Sequence, residues 1–305
     1  MRVIFFGTPK ESVPALHALA NDERFDVCAA VTQPARPVGR HATVTPSPVA
    51  AFAASKNILT LSPTRPEEEL ARMQSLHPDV CVLVAYGCIV SPAVVQLAPW
   101  GIVNIHPSLL PHWRGATPVP SAILAGDTQT GVSFMVLDDK MDHGPILEQV
   151  KTDIGEHELG DELLMRLMRM GAERLGDVLV RYRDGEIQPI EQVDKNATYC
   201  KKLSREDARI NWAQSAVSIE RRIRAFHPWP GTWTEVFIDG VWKRLKILKA
   251  HVEDMHSASA PTLHCGDGQA RVGALVIDTL QIEGKKPSSS ATFARTRNDA
   301  SFPLR

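Results

Sequence analysis

"GIVNIHPSLLPHWRGATP", residues 101–118, opens as a buried strand and then departs from one. The apolar run is broken by Asn104, and it then meets His106, Pro107 and a second proline, Pro111. Pro107 disfavours the helical conformation at His106 and keeps the exit of the strand extended. Asn104 and His106 are two apart, so in an extended chain their side chains point the same way. The stretch therefore places an amide and an imidazole together at the end of a core strand, followed by an apolar loop bounded by prolines.

Working outward, "RVIFF" (2–6), "VCAAVT" (27–32) and "DVCVLVAY" (79–86) also read as apolar strands. Helical patterns over 11–20, 49–56, 66–76 and near 91–98 separate them, with a Pro-rich loop over 33–48. Strands that are apolar on both faces and alternate with helices predict a parallel sheet covered by helices. Residues 101–105 add a strand, 130–137 and 145–154 a later strand pair, and 159–182 a long amphipathic helix. After a helix near 215–226 come short strands with Gly and Asp turns, such as "TWTEVFID" and "ALVIDTLQI". The expected fold class is α/β: a Rossmann-like parallel-sheet domain over 1–188, a linker over 189–206, and a small OB-like antiparallel β-barrel over 207–305.

The composition sets bounds. The chain has 305 residues, 44% hydrophobic and 23% charged, with a formal net charge of -1, so bulk charge gives no reason to expect nucleic acid or membrane. The charge is uneven, however: residues 205–305 hold 15 Lys and Arg against 11 Asp and Glu, and the rest of the chain is acidic. A basic C-terminal third hints at an anionic partner. The five cysteines form no CxxC pair, which fits small buried thiols rather than a disulfide framework or a zinc site. With no signal-like h-region and no apolar stretch long enough to span a bilayer, a cytoplasmic protein is expected, with no membrane partner. A monomer is the expected state.

Several chemistries lack their motifs. "FGTP" after the first strand carries one glycine, so no GxGxxG dinucleotide fingerprint is present; nor is there a GxxxxGK[ST] or an HExxH, and no metal is expected. In an open parallel sheet, ligands bind at the carboxyl ends of the strands, where Asn104 and His106 fall. An amide donor can stabilise an oxyanion, and an imidazole can move protons near neutral pH. "DDKMDHG" (138–144) offers three carboxylates to orient the imidazole, Asp138, Asp139 and Asp142, and the residues alone do not choose among them. Ser108 follows His106 closely, but "HPS" is not a nucleophile elbow. Direct transfer of a carbonyl group to an amine fits this set better than covalent catalysis.

"NIHPSLLPHWRGATP" with "GVSFMVLDDKMDHGPIL" resembles the folate-dependent formyltransferases. "IFFGTP", "VTQPARPVGR", "VLVAYGCIV", "YCKKLSREDARINW" and "IRAFHPWPGTW" extend the resemblance over nearly the whole chain, toward the members that act on methionyl-tRNA. The resemblance implies that the first domain is a formyltransferase domain. It also implies transfer of the formyl group of 10-formyltetrahydrofolate to the α-amine of methionyl initiator tRNA. It selects Asp142 as the carboxylate, with Asn104 donating to the oxyanion and His106 managing protons. It implies a folate pocket from Ser108, Leu109, Leu110 and Pro111 with Val84, Tyr86 and Gly87. For tRNA it points to Arg40 in the 33–48 loop and to the C-terminal barrel, with Lys243, Lys246 and Lys285 as candidates. The sequence departs from the family after Arg40, where relatives commonly carry a Gly-Lys-Lys run and this chain has "HATV". Three other readings share these features: a formyltransferase acting on an amino sugar nucleotide, a 10-formyltetrahydrofolate hydrolase, and a non-catalytic tRNA- or folate-binding module.

Overall fold

The strands that are apolar on both faces become the middle of a seven-stranded sheet. The computed structural model describes residues 1–305 apart from 39–41, 254–261, 267–268, 273, 297–300 and 305. In chain order the first elements are β1 (Arg2–Gly7), α1 (Val13–Ala20), β2 (Asp26–Val31), β3 (Arg36–Val38), β4 (Thr43–Thr45), α2 (Pro48–Ser55) and β5 (Thr60–Leu61). Then come α3 (Leu70–Ser75), β6 (Val80–Val84), α4 (Pro92–Val95), β7 (Ile102–His106), β8 (Arg114–Gly115) and α5 (Pro118–Ala125). β9 (Gln129–Val136), β10 (Ile146–Asp153), α6 (Gly160–Arg183) and β11 (Tyr199–Cys200) follow.

The sheet order is β10-β9-β7-β6-β1-β2-β5. β5, β2, β1, β6 and β7 are parallel, whereas β9 runs antiparallel to β7 and β10 antiparallel to β9. The chain moves from β1 to β2 and β5 on one side, then passes back to β6 and β7 on the other. Its strand order therefore reverses between β1 and β6, and a crevice opens at their carboxyl ends. Val3, Ile4, Phe5 and Phe6 are fully buried, as are Cys81 and Val82, because helices cover both faces. On α6, Leu167, Met168, Leu175, Val178 and Leu179 form a buried stripe at helical spacing. Gly171 lets that helix close on the sheet, since a Cβ there would collide with Ile105 and Val132. Ile105 is thus packed against α6, and its neighbours Asn104 and His106 project from the opposite face of β7.

Several expectations change in detail. The 33–48 segment, expected as loop throughout, contains the antiparallel hairpin β3–β4, with Arg36 opposite Thr45 and Val38 opposite Thr43. Arg-Pro-Val and Thr-Val-Thr have strand-forming residues that find each other across a turn. The 79–86 strand ends at Val84 because Ala85 adopts φ +46°, which extended chain does not allow. The 66–76 helix begins as a 3-10 turn over Pro66–Glu69, and the helix near 91–98 shortens to Pro92–Val95. Helix α5 tolerates Pro118 and Pro120 because both lie in its first turn, where backbone N–H groups have no helical partner.

The chain divides into two compact units that interleave in sequence: Met1–Pro118 with Gln129–Asp153 and Leu164–Cys200, and Val119–Thr128 with Ile154–Leu163 and Lys201–Arg305. Within the first unit, residues 189–200 of the 189–206 segment are tied down by β11, which pairs in parallel with β8, and by a bridge between Ile190 and Ile146. The second unit holds α7 (Ala216–Ala225), capped by the Ser215 hydroxyl accepting from Ser218 N at 3.2 Å. Its strands are β12 (Trp233–Ile238), β13 (Val241–Val252), β14 (Thr262–Gly266), β15 (Gln269–Val272), β16 (Leu275–Ile282), β17 (Ser288–Ser289) and β18 (Ser301–Pro303), with α8 at Ser290–Arg295. The order β12-β13-β16-β15-β14-β18 is closed into a barrel by an antiparallel bridge from Leu304 to Val236. Val236, Ile238, Leu245, Ile247 and Ile277 fill it. A register shift between Ile247 and Ala250 turns Ala250 inward, three residues after Ile247 instead of two. Among the described residues, no helix is long and apolar enough to cross a membrane.

Candidate active site

The crevice between β1 and β6 is cross-linked at its base. Ser12 Oγ donates to Val84 O at 2.6 Å, and Thr8 Oγ1 donates to Tyr86 O at 2.8 Å. Gln33 Nε2, just past β2, also donates to Tyr86 O, at 3.0 Å. β7 lies next to β6 with Asn104 opposite Leu83, so the loops after the two strands leave the sheet side by side.

Asn104 and His106 are buried, at 6% and 5% exposure, on the same face of β7. Among the described residues the Asn104 carboxamide has no hydrogen-bond partner. Its donors are therefore open to a ligand. His106 Nε2 lies 3.0 Å from Trp113 O. A carbonyl only accepts, so Nε2 carries the hydrogen and the ring turns its other nitrogen, Nδ1, elsewhere. It turns it toward Asp142, whose Oδ1 is 3.7 Å from Nδ1. That is too long for a hydrogen bond but close for a charge.

The carboxylates of "DDKMDHG" are placed differently. Asp142 faces His106, whereas Asp138 lies 2.5 Å from His143 Nδ1. His143 does not neighbour Asp142 through its ring; its Nε2 is 3.4 Å from Asp194. Asp142 is held by its other oxygen, Oδ2, which accepts from Gly115 N at 2.7 Å. Its backbone sits at φ +49°. Ala85, directly after β6, and Trp113, directly before β8, also have positive φ, +46° and +61°. Left-handed residues other than glycine are costly and cluster at functional sites. Gly144 is required in this turn, since a Cβ would run into the Val136 carbonyl.

The loop after His106 is built on internal hydrogen bonds. Ser108, fully buried, donates from Oγ to His112 O at 2.6 Å. Ser133 Oγ on β9 donates to Ser108 O at 2.6 Å and accepts from Leu110 N at 3.0 Å. Gln149 Nε2 on β10 donates to Leu110 O and to Ser133 Oγ, at 2.9 and 2.8 Å. Leu110 is buried and joins Pro111 through a cis peptide bond; Leu109 and Pro111 are half-buried.

A family model described as formyl transferase matches residues 1–179, and one described as formyl transferase, C-terminal domain, matches residues 202–298. The methionyl-tRNA formyltransferase of Xanthomonas campestris pv. campestris (strain 8004) is 41% identical over 309 residues, covering 98% of each chain. The chain belongs to the family of methionyl-tRNA formyltransferases. The enzyme of that name from Chloroflexus aurantiacus (strain ATCC 29366 / DSM 635 / J-10-fl) is 40% identical over 304 residues, or 96% of each chain. The fold is also that of WlaRD, a sugar 3N-formyl transferase solved in the presence of dTDP and 5-N-formyl-THF. Its TM-score is 0.67 at 14% identity, covering 94% of this chain and 99% of that one. An N-formyltransferase from Helicobacter canadensis, in complex with folinic acid and dTDP-3-aminofucose, aligns with TM-score 0.68 at 15% identity, over 90% and 98% of the two chains. At such identities these two likenesses speak to the fold alone.

Asp142 lies beside His106, Asn104 shares the face of β7 with His106, and the Val84–Gly87 and Ser108–Pro111 segments lie at or beyond the ends of the neighbouring strands β6 and β7. Val84 and Tyr86 are buried, the Tyr86 ring packing edge-on against Phe6 at 5.6 Å, while Gly87 turns at φ +81°. Burial pushes the Tyr86 phenol up from its ordinary value. Arg40 lies outside the described residues. Lys243 is paired with Asp239 at 3.1 Å. Lys246 lies in register with Trp233 and Gln281, and Lys285 is exposed in the turn after β16.

Sequence reasoning assigned nothing to Arg114, which is 1% exposed. Its guanidinium donates to Gln192 Oε1, to Asp194 Oδ1 at 3.0 Å and to the Tyr199 hydroxyl at 3.2 Å. The Arg114 hydrogen bond, aided by the charge of His143, holds the Asp194 carboxyl below its ordinary range. A lone arginine directly after an apolar loop, in "PHWRG", was the available signal. Its partners lie some 80 residues on, where no local pattern points.

Proposed function

We propose that this chain transfers the formyl group of 10-formyltetrahydrofolate to the α-amino group of methionyl initiator tRNA. The observation that carries the reading is the convergence of Asn104, His106 and Asp142 at the carboxyl edge of the sheet, in a chain so similar throughout to methionyl-tRNA formyltransferases. 10-Formyltetrahydrofolate supplies the formyl group. Asn104, with its donors unspent, hydrogen-bonds the formyl oxygen as negative charge develops on it. His106 takes the proton of the attacking amine at Nδ1, because Nε2 is committed to Trp113 O, and returns it to the folate N10 as the formyl C–N10 bond breaks and tetrahydrofolate leaves. Asp142 stabilises the resulting imidazolium and orients the ring.

The residues present fit a folate. Half-buried Leu109 and Pro111 and the exposed turn residues Ala85 and Gly87 supply apolar surface and close backbone approach, which suit a flat heterocycle with polar edges. Ser108 contributes by shaping its loop, since its hydroxyl is already committed.

For tRNA, the β3–β4 hairpin leaves the sheet just after β2, at the edge where the catalytic groups lie, with Arg36 exposed. Arg40, outside the described residues, is the residue that the family resemblance assigns to the acceptor stem. On the barrel, Lys246 and Lys285 have no carboxylate partner among the described residues, so their charges are available to phosphates; Lys243 has its charge balanced by Asp239. The segment 189–206 is read as the connection between catalytic and tRNA-binding domains.

The test is formyl transfer from 10-formyltetrahydrofolate to three acceptors: charged initiator Met-tRNA, a dTDP-linked amino sugar, and water. Transfer to Met-tRNA, absent with uncharged tRNA and lost in His106→Ala, is expected. Transfer to the amino sugar alone, or release of formate at the same rate without acceptor, would sink the assignment.

A further inference from the structure

Gln192 spends its whole carboxamide in two directions. Oε1 accepts from Arg114 Nε at 3.0 Å and from Arg114 Nη2 at 2.9 Å. Nε2 donates to Asp142 O at 3.0 Å and to Gly144 O at 2.8 Å. One end therefore holds a buried arginine, and the other holds both carbonyls that flank His143 in the turn of the catalytic carboxylate. The arginine is itself fixed, since it also reaches Asp194 and Tyr199 and its backbone N donates to Thr198 O at 2.9 Å. The residue after it, Gly115, supplies the N–H that grips Asp142 Oδ2. Every handle on Asp142 among these contacts thus converges on residues 114–115 and 192. The turn needs such handles, because Asp142 sits in the left-handed region, which the chain does not hold unaided.

We propose that Gln192 is a positioning residue for catalysis: it transfers the fixed position of Arg114 to the 142–144 turn and so sets the distance between Asp142 Oδ1 and His106 Nδ1. The inference rests on the reading of Asp142 as the carboxylate that serves His106. Gln192 touches none of the reacting atoms, and it acts through Asp142.

Gln192→Glu separates the two ends. A carboxylate still accepts both Arg114 donors and gains an opposite charge there, so the arginine stays satisfied. It has no donor for Asp142 O or Gly144 O and sets negative oxygen against both carbonyls. The turn is released while the anchor is kept. Misplacing a catalytic group by about 1 Å costs up to about 100-fold, so turnover is expected to slow about 10- to 100-fold. KM for both substrates should stay within about threefold, and the thermal midpoint near that of wild type. Gln192→Asn, one methylene shorter and uncharged, repeats the test without the added charge.

A merely structural role is distinguished by a double-mutant cycle. Combined with Asp142→Asn, Gln192→Glu should cost nothing further, because the group it positions is already disabled. The proposal is overturned if Gln192→Glu and Gln192→Asn keep wild-type kcat while Asp142→Asn has lost it. It is equally overturned if Gln192→Glu costs the same factor in the Asp142→Asn background. Full activity in Asp142→Asn itself would remove the catalytic reading of Asp142, and the positioning role with it.

Discussion

Replacing Asp142 by Asn tests the proton chemistry at a single atom. The substitution preserves shape. The carboxamide oxygen can still accept from Gly115 N, where Oδ2 now does so at 2.7 Å. The new NH2 then faces His106 Nδ1 across the present 3.7 Å and can donate to its lone pair. The fold keeps its contacts, but the imidazole loses the charge that favours its protonated form. At 3.7 Å and an effective dielectric constant of about 20, a unit charge pair is worth about 4.5 kcal/mol. Burial of both groups, at 6% and 15% side-chain exposure, keeps solvent from screening most of it. At about 1.36 kcal/mol per tenfold, full loss would slow transfer by about 2,000-fold, and partial compensation from the new hydrogen bond reduces this toward about 100-fold. The assay is the rate of formyl transfer at saturating Met-tRNA and 10-formyltetrahydrofolate, with both KM values and the thermal midpoint measured in parallel. The expected result is turnover slowed between about 100-fold and about 2,000-fold, with KM and melting little changed. Slowing by less than about fivefold would refute the assignment of Asp142 to the imidazolium, since no geometry at this distance makes the charge that weak.

Ser133→Ala should lower the melting temperature, because it leaves Leu110 N and one Gln149 N–H bond without their acceptor in a fully buried position. Loss of about 1–3 kcal/mol is expected, visible by calorimetry, together with a raised KM for the formyl donor; unchanged melting would show that the network is not holding the loop. Lys246→Ala and Lys285→Ala should each weaken tRNA use and make the plot of log kcat/KM against log salt shallower by about one unit. Lys243→Ala, already neutralised by Asp239, should change that slope least, and equal slopes for all three would contradict the pairing argument. The connecting segment should loosen in acid. Asp194 is held low by Arg114, and Asp207 by hydrogen bonds from Ser204 and Lys201. A carboxyl depressed on folding stabilises above its unfolded pKa of about 3.9, and that stability is lost as pH falls through the folded value. Hydrogen exchange across 190–207, corrected for intrinsic rates, should show equal protection between about pH 5 and 8 and loss below about pH 4; constant protection down to about pH 2 would count against it.

How much of this was legible in the sequence depends on the range over which each feature is encoded. The sheet was legible because burial on both faces makes β1 and β6 apolar throughout, a signal carried within five or six residues. The same holds for Asn104 and His106, which show as polar interruptions of such a strand. The placement of Asp142 beside His106 had no local signal: Asp142 sits at φ +49° and is gripped by Gly115, 27 residues away. The β3–β4 hairpin was missed because three-residue strands carry too few alternations to set a period. Arg114 shows the limit most clearly. A charge that is almost fully buried must be paired, so the sequence announces that partners exist. Gln192, Asp194 and Tyr199 lie 78 to 85 residues later in a segment whose composition reads as linker. Local pattern reports what a residue needs, whereas topology alone reports who supplies it. The trio proposed for catalysis satisfies the first kind of statement, and the clamp proposed to set its geometry belongs to the second.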